Sequence, residues 1–137
     1  MDQNKIALIT GAGRGLGAAV SEYMYSHGMR VILVDNNKID LKKFSPKNEN
    51  IHSYQVDVSK RVEVKEMFSS AFKRFKQIDY LINFAGINRD APFIEMTDED
   101  WDSVISVHLK GTFICCQEFV KLKSHGNGHI INVSAAC

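Results

Sequence analysis

The sequence predicts an α/β fold, a doubly wound parallel sheet of five strands with helices on both faces. Three observations carry this expectation. Short apolar runs alternate with segments of helical period, the pattern of linked βαβ units. A glycine-rich turn, Thr10-Gly11-Ala12-Gly13-Arg14-Gly15-Leu16-Gly17, joins the first run to the first helical segment. An acid, Asp35, closes the second run 18 residues beyond Gly17.

Taken in order, Lys5-Ile6-Ala7-Leu8-Ile9-Thr10 is apolar without alternation, as suits a strand covered on both faces. Leu16, Ala19, Val20, Tyr23, Met24 and His27 recur at helical spacing up to Gly28, a stop signal. Arg30 to Asp35 reads as a second buried strand, and Ile51 to Val58 as a third, after a polar connection that contains Pro46. Ser59 is expected to cap a helix whose stripe is Val64, Met67, Phe68, Ala71, Phe72 and Phe75. Ile78 to Phe84 is the fourth strand, closed by Ala85-Gly86. The segment from Ile87 to Met96 lacks a clear period, contains Pro92 and reads as a loop. Thr97-Asp98-Glu99-Asp100 has the form of a capping box, with acids placed well for the helix dipole. The helix it opens carries Trp101, Val104, Ile105, His108, Leu109, Thr112, Cys115, Cys116 and Phe119. Gly126-Asn127-Gly128 then turns the chain into a fifth strand, His129 to Ser134. Residues 1–137 are expected to form one domain, without internal repeats.

Composition narrows the function classes. Hydrophobic residues make up 45% and charged residues 24%, which is ordinary globular usage. No apolar run approaches the roughly 20 residues of a membrane span, and the polar start, Met1 to Lys5, has no secretory character. Three cysteines, Cys115, Cys116 and Cys137, form no framework, so a reducing, cytoplasmic setting is expected. Residues 1–76 hold 13 Lys and Arg against 8 acids, and residues 77–137 hold 4 against 8. The basic residues sit among acids and without interleaved aromatics, so they read as a solvated helical face, not a nucleic-acid surface. No metal site is expected, because His125 and His129 flank a glycine turn and Cys115-Cys116 lacks ligand spacing.

The glycine-rich turn points to a nucleotide. Its four glycines fit neither the i, i+2, i+5 dinucleotide fingerprint nor a P-loop; they fit Thr-Gly-x-x-x-Gly-x-Gly through Gly11, Gly15 and Gly17. Such a turn lets backbone approach a pyrophosphate that rests on the free N–H groups of the helix start. Gly11, Arg14, Gly15, Leu16 and Gly17 are therefore candidate cofactor-binding residues. Asp35 is placed to accept hydrogen bonds from the adenosine ribose hydroxyls, which favours NAD over NADP. Arg14 argues the other way, since a guanidinium there can pair with a 2′-phosphate.

With these features the chain resembles the short-chain dehydrogenase/reductase family, whose members have a Rossmann-type sheet, and the resemblance covers essentially all 137 residues. Asp57-Val58 resembles the family's contact to the adenine ring. Asn83-Phe84-Ala85-Gly86 resembles the family's Asn-Asn-Ala-Gly, so Asn83, Ala85 and Gly86 join the cofactor-binding set, with Phe84 replacing the second Asn. Gly128 to Ser134 resembles the strand that leads to the family's catalytic serine. The resemblance implies hydride transfer between nicotinamide C4 and an alcohol or ketone of a small-molecule substrate, and a homo-oligomer, dimer or tetramer. Within the family, Gly86 to Asp90, Met96 and Asp98 to Asp102 look similar to enzymes of acyl-thioester (fatty acid) metabolism, implying a 3-oxoacyl or 3-hydroxyacyl thioester.

The chain also departs from the family pattern. Tyr23, Tyr25, Tyr54 and Tyr80 are never followed by Lys four residues on, so the family's Tyr-x-x-x-Lys proton donor is lacking. Aligned on Asn132-Val133, Ala135 holds the catalytic serine position. Ser134 is read as cofactor-proximal or structural, or, with a one-residue slip, as touching substrate; strand alternation would turn it to the other face. His108 stands where most members carry the Asn of the proton relay; it reads equally as a satisfied core histidine. Ser134 and His108 are thus the candidate catalytic residues. The expectation is that the sequence is a piece of a longer enzyme, incomplete on the C-terminal side of its sheet and without turnover on its own, with the fifth strand left exposed. A nucleotide-binding module without catalysis is the competing reading.

Overall fold

The computed structural model describes residues 4–44, 50–122 and 126–134. Strands β1 (Ile6–Thr10), β2 (Arg30–Asp35), β3 (Ile51–Gln55), β4 (Tyr80–Asn83) and β5 (His129–Asn132) form one sheet in the order β3-β2-β1-β4-β5. Every pairing is parallel. Helices α1 (Gly15–Ser26), α2 (Arg61–Phe75), α3 (Asp98–Ile105) and α4 (Thr112–Leu122) supply the cover. The α/β doubly wound sheet is as expected; β3, β4 and β5 are each shorter than their apolar runs.

Strand alternation sorts the core into two layers. Ile6 and Leu8 of β1, Ile32 and Val34 of β2, and Leu81 of β4 face α2 and α4, meeting Val64, Met67, Phe68, Ala71, Phe75, Ile114 and Phe119. Ala7, Ile9, Val31, Leu33 and Ile82 face the other way, toward Val20, Met24 and Tyr25 of α1 and the 3-10 turn Leu41–Lys43. Burial on both faces is why these strands read as unbroken apolar runs. By contrast β5 is exposed along its length, Ile130 and Ile131 included, as expected.

Several helix details differ from the sequence reading. On α1 the buried face is Gly17, Ala18 and Ser21, while Leu16 is 70% and Tyr23 55% exposed. Close approach to the sheet favours the small residues, so the large ones turn outward. Ser59 does not cap α2; the cap position is Lys60, and the Ser59 hydroxyl donates instead to Asp57 Oδ1 at 2.7 Å. The α2 stripe is otherwise as expected except for the exposed Phe72. Thr97 does close a capping box with Asp100: its hydroxyl accepts from the Asp100 N–H at 3.1 Å, and the Asp100 carboxylate accepts from the Thr97 N–H.

The long helix after Thr97 is not one regular stripe. A π-helical segment, Ser106–Gly111, separates α3 from α4. Wider winding breaks the 3.6-residue period, so Trp101 is 59% and Leu109 66% exposed, while Cys115 and Phe119 are buried. Helix α3 buries none of its residues. No helix among the described residues is long and apolar enough to cross a membrane.

At the N-terminal ends of the strands, Asp79 ties β1 to β4. Its Oδ2 accepts from the Ile6 N–H at 2.9 Å and from Gln77 Nε2 at 2.6 Å, and its Oδ1 pairs with Lys5 Nζ at 3.2 Å. Burial alone would raise this carboxyl, but the hydrogen bonds from Gln77, Ile6 and Lys5 outweigh it and hold Asp79 below the ordinary carboxylate range.

Candidate functional site

The chemistry-bearing residues gather at the opposite, C-terminal ends of the strands. In the order β3-β2-β1-β4-β5, successive strands run outward from β1 in one direction and from β4 in the other, which leaves a crevice between β1 and β4. A cavity of about 860 Å³ occupies it, within the usual range for small-molecule sites. Its lining comes from the glycine-rich turn, Asp35 to Asn37, Val56 to Val58, Phe84 to Asn88, Val107, His108, Val133 and Ser134.

The turn is shaped by backbone proximity. Gly11 has φ +65, and a Cβ there would lie 2.8 Å from both the Ala85 nitrogen and the Phe84 carbonyl carbon. A Cβ on Gly17 would collide with the Gly11 carbonyl oxygen. Thr10 completes the seam, its Oγ1 accepting from the Ala85 N–H at 3.2 Å. Helix α1 then begins after Arg14 without a side-chain cap, so its first N–H groups stay available at the cavity wall. Gly15 has φ +57 and open space where a Cβ would stand. An anionic group fits this cradle, which offers N–H donors and no competing side chain.

Asp35 reaches across from the end of β2. Its Oδ2 accepts from the Gly13 N–H at 2.9 Å and its Oδ1 from the Asn37 N–H at 3.0 Å. Each oxygen retains acceptor capacity toward the cavity. Arg14 also lines the cavity and is exposed. Asp57 is held by Ser59 and Lys60, while its own N–H donates to Glu63 at 2.9 Å.

On the far side of the crevice His108 stands in the π-helical segment. The ring is exposed at the cavity, so the core-histidine reading is overturned: the altered winding turns position 108 away from the packed stripe. Its Nε2 lies 2.9 Å from the Ile87 nitrogen and 2.8 Å from the Ile87 oxygen. A Cβ on Gly86 would stand 2.6 Å from His108 Cε1, so ring and glycine are fitted to one another. Ser134 lines the cavity beside Val133. The alternation argument against Ser134 lapses, because β5 ends at Asn132 and no longer fixes which way the following residues turn.

Of the sequence-predicted cofactor residues, all but Asn83 line this cavity: Gly11, Arg14, Gly15, Leu16, Gly17, Asp35, Asp57, Val58, Ala85 and Gly86 do. Asn83 is buried, and its Nδ2 donates to Asn132 Oδ1 at 2.8 Å, joining β4 to β5. Sequence reasoning did not single out Asn36, Asn37, Val56, Ile87, Asn88 and Val107, which also line the cavity and carry no motif signal beyond standing near one. Ala135, Cys137, His125 and Pro46 lie outside the described residues. Among the described residues no three His, Cys, Asp or Glu side chains gather to hold a metal.

The family model for short chain dehydrogenases matches residues 5–137. The chain belongs to the short chain dehydrogenase family. A 3-oxoacyl-[acyl-carrier-protein] reductase from Thermotoga maritima is 37% identical, over 97% of this chain and 56% of its own length. A short chain dehydrogenase from Leptospira borgpetersenii, solved with bound NAD+, superposes with a TM-score of 0.83 at 34% identity, covering 92% of this chain and 49% of that one. ElxO, solved with NADP bound, gives 0.85 at 30% identity, covering 96% and 55%. The chain spans about half the length of the curated relatives it matches.

Proposed function

We propose that this chain supplies the cofactor-binding part of a short-chain oxidoreductase that uses NAD in preference to NADP. The observation that carries the reading is the convergence of the glycine turn, Asp35 and the Ala85-Gly86 rim on one cavity at the β1/β4 crevice. When bound, a nicotinamide cofactor supplies the hydride carrier. The chain's own residues bind and orient: the N–H groups at the start of α1 receive the pyrophosphate, Asp35 accepts the ribose hydroxyls, and Asp57-Val58 borders the adenine. Ser134 and His108 stand across the crevice from Asp35, on the substrate side. There the Ser134 hydroxyl orients a carbonyl or alcohol oxygen, and His108 holds the Ile87 rim in place. The relative from Thermotoga maritima supports a 3-oxoacyl or 3-hydroxyacyl thioester as substrate. Arg14 favours the second cofactor reading, NADP, because its guanidinium is exposed at the same cavity.

Titration by NADH fluorescence tests the proposal. Gly15→Ala puts a methyl group into the open cradle at positive φ, and should weaken NADH binding by about tenfold or more. If wild type and variant both fail to bind, the nucleotide reading falls. A change in the fluorescence of bound NADH on adding an acetoacetyl thioester then tests whether that substrate class binds beside the cofactor, with no turnover required.

A further inference from the structure

We propose that Asn127 is a site of spontaneous deamidation, and that its isoaspartate product loosens the entry to β5. The chain has nine asparagines, and Asn127 alone is followed by glycine. That neighbour matters because the reaction is an attack by the next residue's backbone nitrogen, which a Cβ on that residue would crowd. Asn127 and Gly128 are both exposed and lie outside every helix and strand. The Gly128 N–H, the attacking group, makes no hydrogen bond to another described residue. The Asn36-Asn37 pair is equally exposed but differs at this point. There the attacking Asn37 N–H donates to Asp35 Oδ1 at 3.0 Å, and a carboxylate acceptor keeps the proton in place. Asn83 is buried within β4.

The step needs only base and water. Base removes the Gly128 amide proton, and the nitrogen bonds to the Asn127 side-chain carbonyl carbon. The bond from that carbon to Nδ2 breaks, ammonia leaves, and a cyclic imide remains. Water then opens the imide at either carbonyl. Opening at the side-chain carbon restores the ordinary main chain with aspartate at 127. Opening at the backbone carbon gives isoaspartate, whose main chain runs through the side-chain methylene and is one carbon longer. The extra carbon falls immediately before the strand. His129 stands opposite Tyr80 as the first β5 pair, its N–H donates to the Asp79 oxygen at 2.9 Å, and its ring stacks on Tyr80 at 5.3 Å. Among the described residues β5 has β4 as its only strand neighbour and is exposed along its length, so little else holds its start. An added main-chain carbon moves His129 off this register, whereas an ordinary aspartate leaves the spacing intact. Both products place a new carboxylate beside Lys5, Lys76 and Asp79, which line one hollow of about 400 Å³ with Asn127.

The test is to hold the full chain at pH 8 and at pH 5 and follow each asparagine by tryptic mass mapping, with isoaspartyl methyltransferase marking the isoaspartyl peptides. Asn127 should convert first, and faster at pH 8, because the attack needs the Gly128 nitrogen deprotonated. Gly128→Ala should slow conversion by roughly tenfold or more, through crowding at the attacking nitrogen. Alanine is not strained there, since positive φ among the glycines is confined to Gly11, Gly15 and Gly28. An intact Asn127, conversion led by another asparagine, or a rate that ignores Gly128→Ala overturns the site. The wild-type comparison gives an answer even if Gly128→Ala does not fold: equal rates at the two pH values overturn the proposal. Amide hydrogen exchange tests the consequence for β5. The His129 N–H should lose protection in the isolated isoaspartyl fraction and keep it in Asn127→Asp, which carries the charge without the added carbon. Equal protection in the isoaspartyl fraction and the fresh protein, or an equal loss in Asn127→Asp, overturns the loosening of β5.

Discussion

Replacing Asp79 with Ala should destabilise the chain by about 2–4 kcal/mol, most of it from one backbone group. Ile6 is buried, and its N–H donates to Asp79 Oδ2 at 2.9 Å. Removing the acceptor strands that donor at the junction of β1 and β4, which costs about 1–3 kcal/mol. Gln77 is exposed and can turn to water, so it adds little. The Lys5 side chain is 38% exposed, and solvent screening limits its ion pair to about 1 kcal/mol or less. Against a typical total of about 5–15 kcal/mol this is a large fraction. Asp79→Asn keeps an acceptor for Ile6 and should lose only about 1 kcal/mol, the charge-assisted share. The pH dependence follows from the depressed folded pKa. The carboxylate's contribution is fully present above the unfolded value of about 3.9 and is lost as pH falls through the lower folded value. The gap between wild type and Asp79→Asn should therefore hold above about pH 4 and close as pH falls further, through the depressed folded value. Urea denaturation followed by far-ultraviolet circular dichroism measures all three proteins. Wild type and Asp79→Ala agreeing within about 0.5 kcal/mol at pH 7, or a gap to Asp79→Asn that ignores pH, would refute the reasoning.

Two further outcomes are expected. Burial, and then the neighbouring Cys116, push the Cys115 thiol up to about 12, so iodoacetamide at pH 8 should leave Cys115 unmodified in the native protein and alkylate it in urea; peptide mass mapping reads the difference, and fast native labelling contradicts it. Gly86→Ala should drive the His108 ring off Ile87, cost about 0.5–1.5 kcal/mol for the lost hydrogen bonding, and speed exchange of the Ile87 amide; unchanged exchange would show that the ring tolerates the methyl group.

The apolar runs made the sheet legible, because strands buried on both faces leave a signal that no neighbouring element has to explain. The same logic made the glycine turn and Asp35 legible: each must stand at a strand end to do its work. Position 108 was harder to read, since a π-helical segment shifts which residues face the sheet and nothing in Ser106 to Gly111 announces that winding. Leu16 and Tyr23 misled for a different reason: helix α1 lies close to the sheet and buries Gly17, Ala18 and Ser21 in place of its largest residues. The hydrogen bond from Gly13 to Asp35 was not legible, because it spans 22 residues and forms only once β2 lies beside the turn.

The capping box on α3 also decides what this protein's intrinsic fluorescence can report. Trp101 is the sole tryptophan, and it sits on a helix of eight residues that buries none of them. So short a helix has little stability of its own; it is held by the Thr97–Asp100 cap at one end and by continuity with the π-helical segment at the other. The indole therefore looks onto the fraying of one short peripheral helix and not onto the collapse of the core around Phe68. An emission-monitored melt will record the opening of α3, and its midpoint will fall below that of the sheet.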